Sequence, residues 1–486
     1  MFRNYENRTF FKVKFVIKSI KMYASITSEI LQSLTDICGI EYVFTDAEQL
    51  QNYSHDETED LKFLPAVVVK PTTVNQIAEI MRIANAEQIP VTPRGAGTGL
   101  SGGALPVHGG ILLSMEKFNM ILEIDERNLQ ATVEPGVINQ VFRDAVEAKG
   151  LFYPPDPASR GSCFLGGNLA ENAGGPRAVK YGTTKDYILN CEVVLPNGEI
   201  IWTGANVLKN STGYNLTQLM IGSEGTLGIV TKIVFRLIPL PTQNLLMLVP
   251  FYSPEKACEA VSAVFRAGFI PSAMEFMERD AIDYVMQFVD VKIPVKDEHK
   301  AHLLIEVDGK DVDVLFNECE QITELMYQFE CDEVLFADTA AQKNELWKMR
   351  RAAGEAVKSH SVYKEEDTVV PRAELPKLLS GVKAIGKKYG FRSVCYGHAG
   401  DGNLHVNILK DEMSDDDWHN KVPHGIREIF KLCVELKGTI SGEHGIGYVQ
   451  KGYMDIAFNS TQIEIQKGIK RLFDPNNILN PGKMFV

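Results

Sequence analysis

The chain reads as an α+β protein whose C-terminal half is built on an antiparallel sheet. Three observations predict this. A strand at 66–70, an apolar helical face and extended structure at 91–93 have the spacing of a β-α-β unit. Pro239 and Pro241 mark a break in the pattern. Beyond the break, strands near 246–250, 303–307 and 334–337 interleave with helices near 255–267, 313–329 and 342–360, an α+β layout.

The 486 residues allow about three domains. With 45% hydrophobic and 23% charged residues, the composition is that of an ordinary globular protein. A net charge of −13 argues against nucleic acid, whose binding rests on neutralising phosphates, and against anionic membrane surfaces. No apolar run approaches the roughly 20 residues of a membrane span. The eight cysteines (38, 163, 191, 258, 319, 331, 395 and 433) form no C-x-x-C pair. They carry no ferredoxin-type motif and no disulfide framework, which fits a reducing cytoplasm. Residues 1–21 differ, with Arg3, Arg8, Lys12, Lys14, Lys18 and Lys21 against Glu6. An organelle transit peptide and an extension upstream of a start at Met22 are both open, and the extension is the reading preferred here.

In chain order, 26–38 is a short amphipathic helix and 55–60 a polar loop. The helix after the first strand buries Ile77, Ile80, Met81 and Ala84. The β-α-β unit then empties into residues 94–103, RGAGTGLSGG, with five glycines in ten positions. Exposed main-chain N–H groups of this kind can hold a pyrophosphate, although a plain connection is equally compatible. It is not the dinucleotide fingerprint, because 110–115 reads as a strand where a helix would be required. A second Pro- and Gly-dense stretch, 154–182, makes a poor core element and suits a surface that wraps an extended polar ligand. A hairpin follows, 191–195 to Ile200 and Ile201 through Asn197-Gly198. A third glycine-rich segment, 222–231, precedes a strand ending near Leu240. The last helix spans about 461–473.

The chemistry concentrates in CYGHAGDGNLHVN, residues 395–407. His405 and Asn407 share a face of an extended strand, whereas His398, seven residues earlier, would point away along a straight one. Gly400, Asp401, Gly402 and Asn403 are turn formers that could bring the histidines together. SGEHGIG, residues 441–447, offers a carboxylate beside an imidazole. Two histidines and a carboxylate with an open position form a common catalytic metal set, although histidines near a turn can equally be structural.

Taken together, PRGAGTGLSGG, FLGGNLAENAGGPRAVKYG, GSEGTLGIVT, YGHAGDGNLHVN, SGEHGIG and LFDPNNILNPGK occur in an order that resembles the vanillyl-alcohol-oxidase-type flavoproteins. The resemblance is specifically to the FAD-linked D-2-hydroxy-acid dehydrogenases and glycolate oxidase FAD subunits, and it covers about 61–482. It implies an extension and helix over 1–60, an FAD-binding domain of two subdomains over 61–240, and an α+β cap with an antiparallel sheet over 241–486. The tail 474–486 would return to the flavin.

On that resemblance, Pro93, Arg94, Gly95, Ala96, Gly97, Thr98, Gly99, Leu100, Ser101 and Gly102 hold the pyrophosphate. Pro155, Asp156, Ser159, Gly166, Gly167, Asn168, Asn172, Gly174 and Gly175 line the rest of the cofactor. Gly228, Ile229 and Val230 meet the adenine side, and Asn480 approaches the ring. No histidine lies in 94–103, so the FAD is expected to be non-covalent. His398, His405 and Glu443 would hold a divalent metal, Zn²⁺ by preference, with His444 as base. Arg350 and Lys364 would hold the substrate carboxylate and Asn407 a substrate oxygen. Gly354 stands where D-2-hydroxyglutarate dehydrogenase has threonine, which favours glycolate or D-lactate over a dicarboxylic acid.

The chemistry is consistent with these roles. A chelating metal lowers the pKa of the substrate hydroxyl, and a neutral imidazole takes its proton. Arginine grips the carboxylate, and the protein places the α-carbon over flavin N5. Electrons would leave to a partner: an iron–sulfur subunit, an electron-transfer flavoprotein, a cytochrome or a quinone. A homodimer or a subunit of an oxidase complex are the assemblies to expect. Two alternatives share the fold: a non-redox enzyme like alkylglycerone-phosphate synthase, and a non-catalytic flavin-binding subunit.

Overall fold

The computed structural model describes residues 23–486, so the basic segment 1–21 and Met22 lie outside it. Three large sheets and a two-stranded one, Leu151–Phe152 with Ile238–Pro239, carry the described residues. The first orders its strands Val43–Phe44, Val67–Val69, Ile111–Ser114, Val91–Arg94, the last three parallel. Helix Val74–Glu87 covers it. This helix starts at a Thr73–Gln76 capping box and buries Ile77, Ile80, Met81 and Ala84, the face read from the sequence. Helix Ser28–Cys38 packs on the same core through Ile30 and Leu34.

The second sheet is antiparallel and has five strands, with Ile229–Arg236 at its centre between Gln130–Val133 and Ile188–Val194. The hairpin to Ile200–Trp202 pairs Val194 with Ile200, as the Asn197-Gly198 turn predicts. The glycine-rich stretch 154–182 differs from its reading as a region without core elements. It forms the short helices Leu165–Glu171 and Ala178–Tyr181. Burial of Leu165 and Leu169 in the second core, with Asn172 closing the helix in the left-handed region, outweighs the low helix propensity of Gly166 and Gly167.

The third sheet has seven strands, all antiparallel: Leu335–Phe336, Gln243–Phe251, Ala301–Gly309, Ala273–Glu278, Arg392–Gly397, Asn403–Leu409, Tyr363–Val369. One face packs on helices Pro254–Arg266, Val312–Met326, Leu375–Tyr389 and Val422–Glu435. The other packs on Arg279–Phe288 and the long helix Ala340–His360. Where that second helical layer stops, the same face of the sheet carries charged residues in place of apolar ones. The chain end returns to the first sheet, where Leu479 bridges Val91 and the Asn480 amide N–H bonds the Val91 carbonyl.

Candidate active site

A cavity of about 580 Å³ runs between the glycine-rich loops of the N-terminal half and the charged face of the large sheet. The turn at Ala399–Asp401, closed by Gly402 at φ +85°, folds Asn403–Leu409 back along Arg392–Gly397. A Cβ at Gly402 would also overlap the Val370 carbonyl. Tyr396 is paired directly with His405, and paired residues of antiparallel strands share a face. His398 at the turn therefore joins His405, which a straight strand would have forbidden. The ring centroids lie 5.4 Å apart.

Loop 441–447 has no regular structure, and Asp367 fixes its shape. Asp367 Oδ2 accepts the backbone N–H groups of Gly442 (2.8 Å), Glu443 (2.6 Å) and His444 (2.8 Å). Glu443 is thereby presented to both histidines, 3.1 Å from His398 Nε2 and 3.8 Å from His405 Nε2. Ligand atoms of His398, His405 and Glu443 lie within 4.8 Å of one another, and so do those of Glu365, His405 and His444. The His444 ring stacks on His405 at 5.2 Å.

Charge is organised around this group. Glu275 is fully buried, and both its oxygens lie 2.9 Å from His398 Nδ1. Glu275 Oε2 also meets Arg350 at 2.7 Å. Burial opposes protonation of His398, yet Glu275 and then Glu443 hold its pKa well above the usual histidine range. Burial and the His444 charge push His405 down to about 4, which keeps it in the neutral form that binds metals. Burial likewise works against the Glu443 carboxylate, but His398 draws it down to about 2. His444 is raised: burial pulls it down, while Asp367 and Glu365 pull harder the other way.

The residues present fit a divalent metal. Two imidazoles and a carboxylate converge, the outer nitrogen of His398 is held by a carboxylate, and His405 Nδ1 is buried without a hydrogen bond. They also fit FAD. A Cβ on Gly99 or Gly167 would meet nothing within 4 Å, so both open onto a cradle, and Asn168 Nδ2 is buried on its wall without a partner.

Of the cofactor residues expected from sequence, 93–100, Asp156, Ser159, Gly166, Gly167, Asn168 and Gly228–Val230 line the cavity. Others stand behind it. Gly174 N–H donates to Glu443 at 3.2 Å, and Gly175 packs on the Asp156 carbonyl at positive φ. The Asn172 side chain accepts from Thr183 and Lys185. Asn480 Nδ2 donates to the carbonyls of Gly103 (3.0 Å) and Glu224 (2.8 Å), and so braces the first loop. Ser101, Gly102 and Pro155 are also off the lining.

On the cap side, Arg350, His398, His405, Glu443 and His444 line the cavity, as does Gly354. Asn407 is wholly buried beside Tyr396, one step behind that wall. Lys364 is a correction. In strand Tyr363–Val369 alternation puts Glu365 and Asp367 on the site face, and Lys364 points the other way, its Nζ 5.6 Å from the Trp418 ring. The lysine on the cavity is Lys358, one turn beyond Gly354 on the long helix. Sequence reasoning also missed Glu275, Glu365, Asp367 and Tyr396. Only the parity of the 363–369 strand could have flagged two of them.

The described helices include none long and apolar enough to cross a membrane. All eight cysteines are free thiols.

The FAD binding domain family matches residues 65–204, and the family of FAD linked oxidases, C-terminal domain, matches 240–484. The chain is 39% identical to the glycolate oxidase subunit GlcD of Bacillus subtilis, covering 95% of this chain and 97% of that one. It is 38% identical to a D-lactate dehydrogenase of Anaerostipes hadrus, covering 95% and 98%. Among solved structures, p-cresol methylhydroxylase superposes with a TM-score of 0.77 at 19% identity, over 94% of this chain and 96% of that one. That likeness establishes the fold, an FAD-binding architecture of the vanillyl-alcohol-oxidase and p-cresol methylhydroxylase type. With both halves matched and relatives aligned over nearly its whole length, the chain belongs to the FAD-linked oxidases and is a flavin-dependent oxidoreductase.

Proposed function

We propose that the protein oxidises a small D-2-hydroxy acid, glycolate or D-lactate, to the 2-oxo acid. One observation carries the reading: the His398–His405–Glu443 group, His444 and Arg350 converge on the wall that faces the FAD cradle. When bound, FAD supplies the hydride acceptor and a divalent metal at His398, His405 and Glu443 supplies Lewis acidity.

The chain's own residues do the rest. Arg350 is held by Glu275 and keeps a buried Nε without a hydrogen-bond partner, a donor for the substrate carboxylate. His444 takes the hydroxyl proton, its basicity strengthened by Asp367 and Glu365. Glu275 ties the arginine to the first histidine, so the carboxylate grip and the metal group move as one unit. Lys358 lies 3.8 Å from Glu365 along the same wall and takes the place that sequence gave to Lys364. Glu365 brings a carboxylate to the same lining as Arg350, and Gly354 adds no hydrogen-bonding side chain to it. Both disfavour a second carboxylate on the substrate. The two relatives bear the names of a glycolate oxidase subunit and a D-lactate dehydrogenase, which supports acids of this size. The subunit name also fits delivery of electrons to a partner chain.

Chelation tests the metal assignment. Dialysis against a strong chelator should abolish substrate-driven flavin reduction while FAD stays bound, and Zn²⁺ should restore it. Turnover that survives complete metal removal sinks the assignment.

A further inference from the structure

Glu171 ends helix Leu165–Glu171 and lines the cavity. A Cβ built on Gly103 would come within 3.0 Å of Glu171 Oε1, and one on Gly445 would collide with Oε2. The carboxyl is therefore wedged between the first glycine-rich loop and the loop that carries His444. Its Oε2 is buried with no hydrogen-bond partner.

The neighbouring charges leave it unanswered. Glu224 already accepts the N–H groups of Ile446 (2.7 Å) and Gly447 (2.6 Å). Lys483 spends its ammonium on the carbonyls of Gly103 and Leu105 and on Asn480. Burial, and after it the Glu224 charge, raise the Glu171 pKa far above the ordinary carboxyl range. A neutral carboxyl is an O–H donor, and the buried Oε2 has no protein partner.

Glu171 lines the same cavity as His444 and the 94–100 loop, the space that a ring accepting hydride from a substrate beside His444 would occupy. We propose that Glu171 donates a hydrogen bond to the flavin ring and stabilises its reduced form. Hydride adds two electrons and one proton to the ring. The extra negative charge stays on the ring and strengthens the bond, while the Glu171 proton remains on Glu171. The inference rests on FAD binding and is independent of which acid is oxidised.

The test is the flavin midpoint potential at pH 7 of wild-type, Glu171→Gln and Glu171→Met holoenzymes, reduced with dithionite against reference dyes. Glutamine keeps a donor of the same shape and should match wild type. Methionine fills the space without a donor and should move the potential negative by about 30 mV, a tenfold loss of preference for the reduced form. An unchanged potential in Glu171→Met overturns the proposal, since the carboxyl then does not meet the ring. So does a rise in Glu171→Gln, which would mean that the native carboxyl is ionised. An equal fall in both variants also overturns it, because shape rather than the donor would then set the potential. If the methionine protein fails to retain flavin, Glu171→Leu supplies the donor-free arm in its place, with the same fall expected and an unchanged potential overturning the proposal.

Discussion

The two walls of the cavity are built on opposite principles. The N-terminal wall is rich in open backbone: loops at 94–103, 154–182 and 222–231 bring glycines to the cavity, and the Cβ positions of Gly99 and Gly167 meet nothing within 4 Å. The cap wall is side chain. Glu275, Glu365, Asp367, Tyr396 and His405 project from neighbouring strands of one sheet, His398 from the turn that follows one of them, and Glu443 and His444 are pinned to it by Asp367. Backbone recognition spreads binding over many small contacts, so single changes should be graded in effect. A side-chain cluster places chemistry in a few atoms that hold one another in position, and single changes there should be severe.

The largest effect is expected on the cap side. His444→Gln should slow anaerobic flavin reduction roughly 10²- to 10⁴-fold, the usual contribution of a general base, with FAD content and Tm unchanged. A variant that reduces its flavin at the wild-type rate would remove His444 from the chemistry. Glu275→Gln comes next. It loses the carboxylate that orients His398, and metal affinity measured by chelator competition should fall roughly 10- to 100-fold. Wild-type affinity would reduce Glu275 to an anchor for Arg350.

On the opposite wall, Gly167→Val tests whether the cradle is recognised through its open backbone. The new Cβ has no protein atom within 4 Å, so apo stability should hold while FAD affinity drops about tenfold, or 1.4 kcal/mol. Undiminished FAD binding would show that the cofactor lies elsewhere. The smallest effect separates two lysines. Lys364→Gln should change flavin reduction by less than about twofold, as expected for a side chain on the far face of its strand. Lys358→Gln should cost more, and the reverse order would contradict the strand parity.

Much of this was legible in the sequence, for identifiable reasons. Period-3.6 burial gave the Val74–Glu87 helix, and alternation put His405 and Asn407 on one face. Turn-forming residues between 400 and 403 suggested how His398 could rejoin them. Glu275 was invisible because it sits 123 residues from His398 in a strand with no distinctive pattern, so only sheet topology brings the pair together. Lys364 was assigned by position against a family pattern, and the parity of its strand turns it away and offers Glu365 instead. The helix at Leu165–Glu171 was hidden by two glycines in its first turn, because the burial that stabilises it is tertiary. Asn480 was anticipated beside the flavin, yet its amide is taken by the carbonyls of Gly103 and Glu224.

The central claim is the oxidation of a small D-2-hydroxy acid by bound flavin. Anaerobic absorbance of the holoenzyme, titrated separately with D-lactate, L-lactate, glycolate and D-2-hydroxyglutarate, tests it most directly. Bleaching of the flavin by D-lactate or glycolate, with L-lactate inert and D-2-hydroxyglutarate weak, is the predicted result. A flavin that stays oxidised with all four acids while FAD and metal are both bound would contradict it.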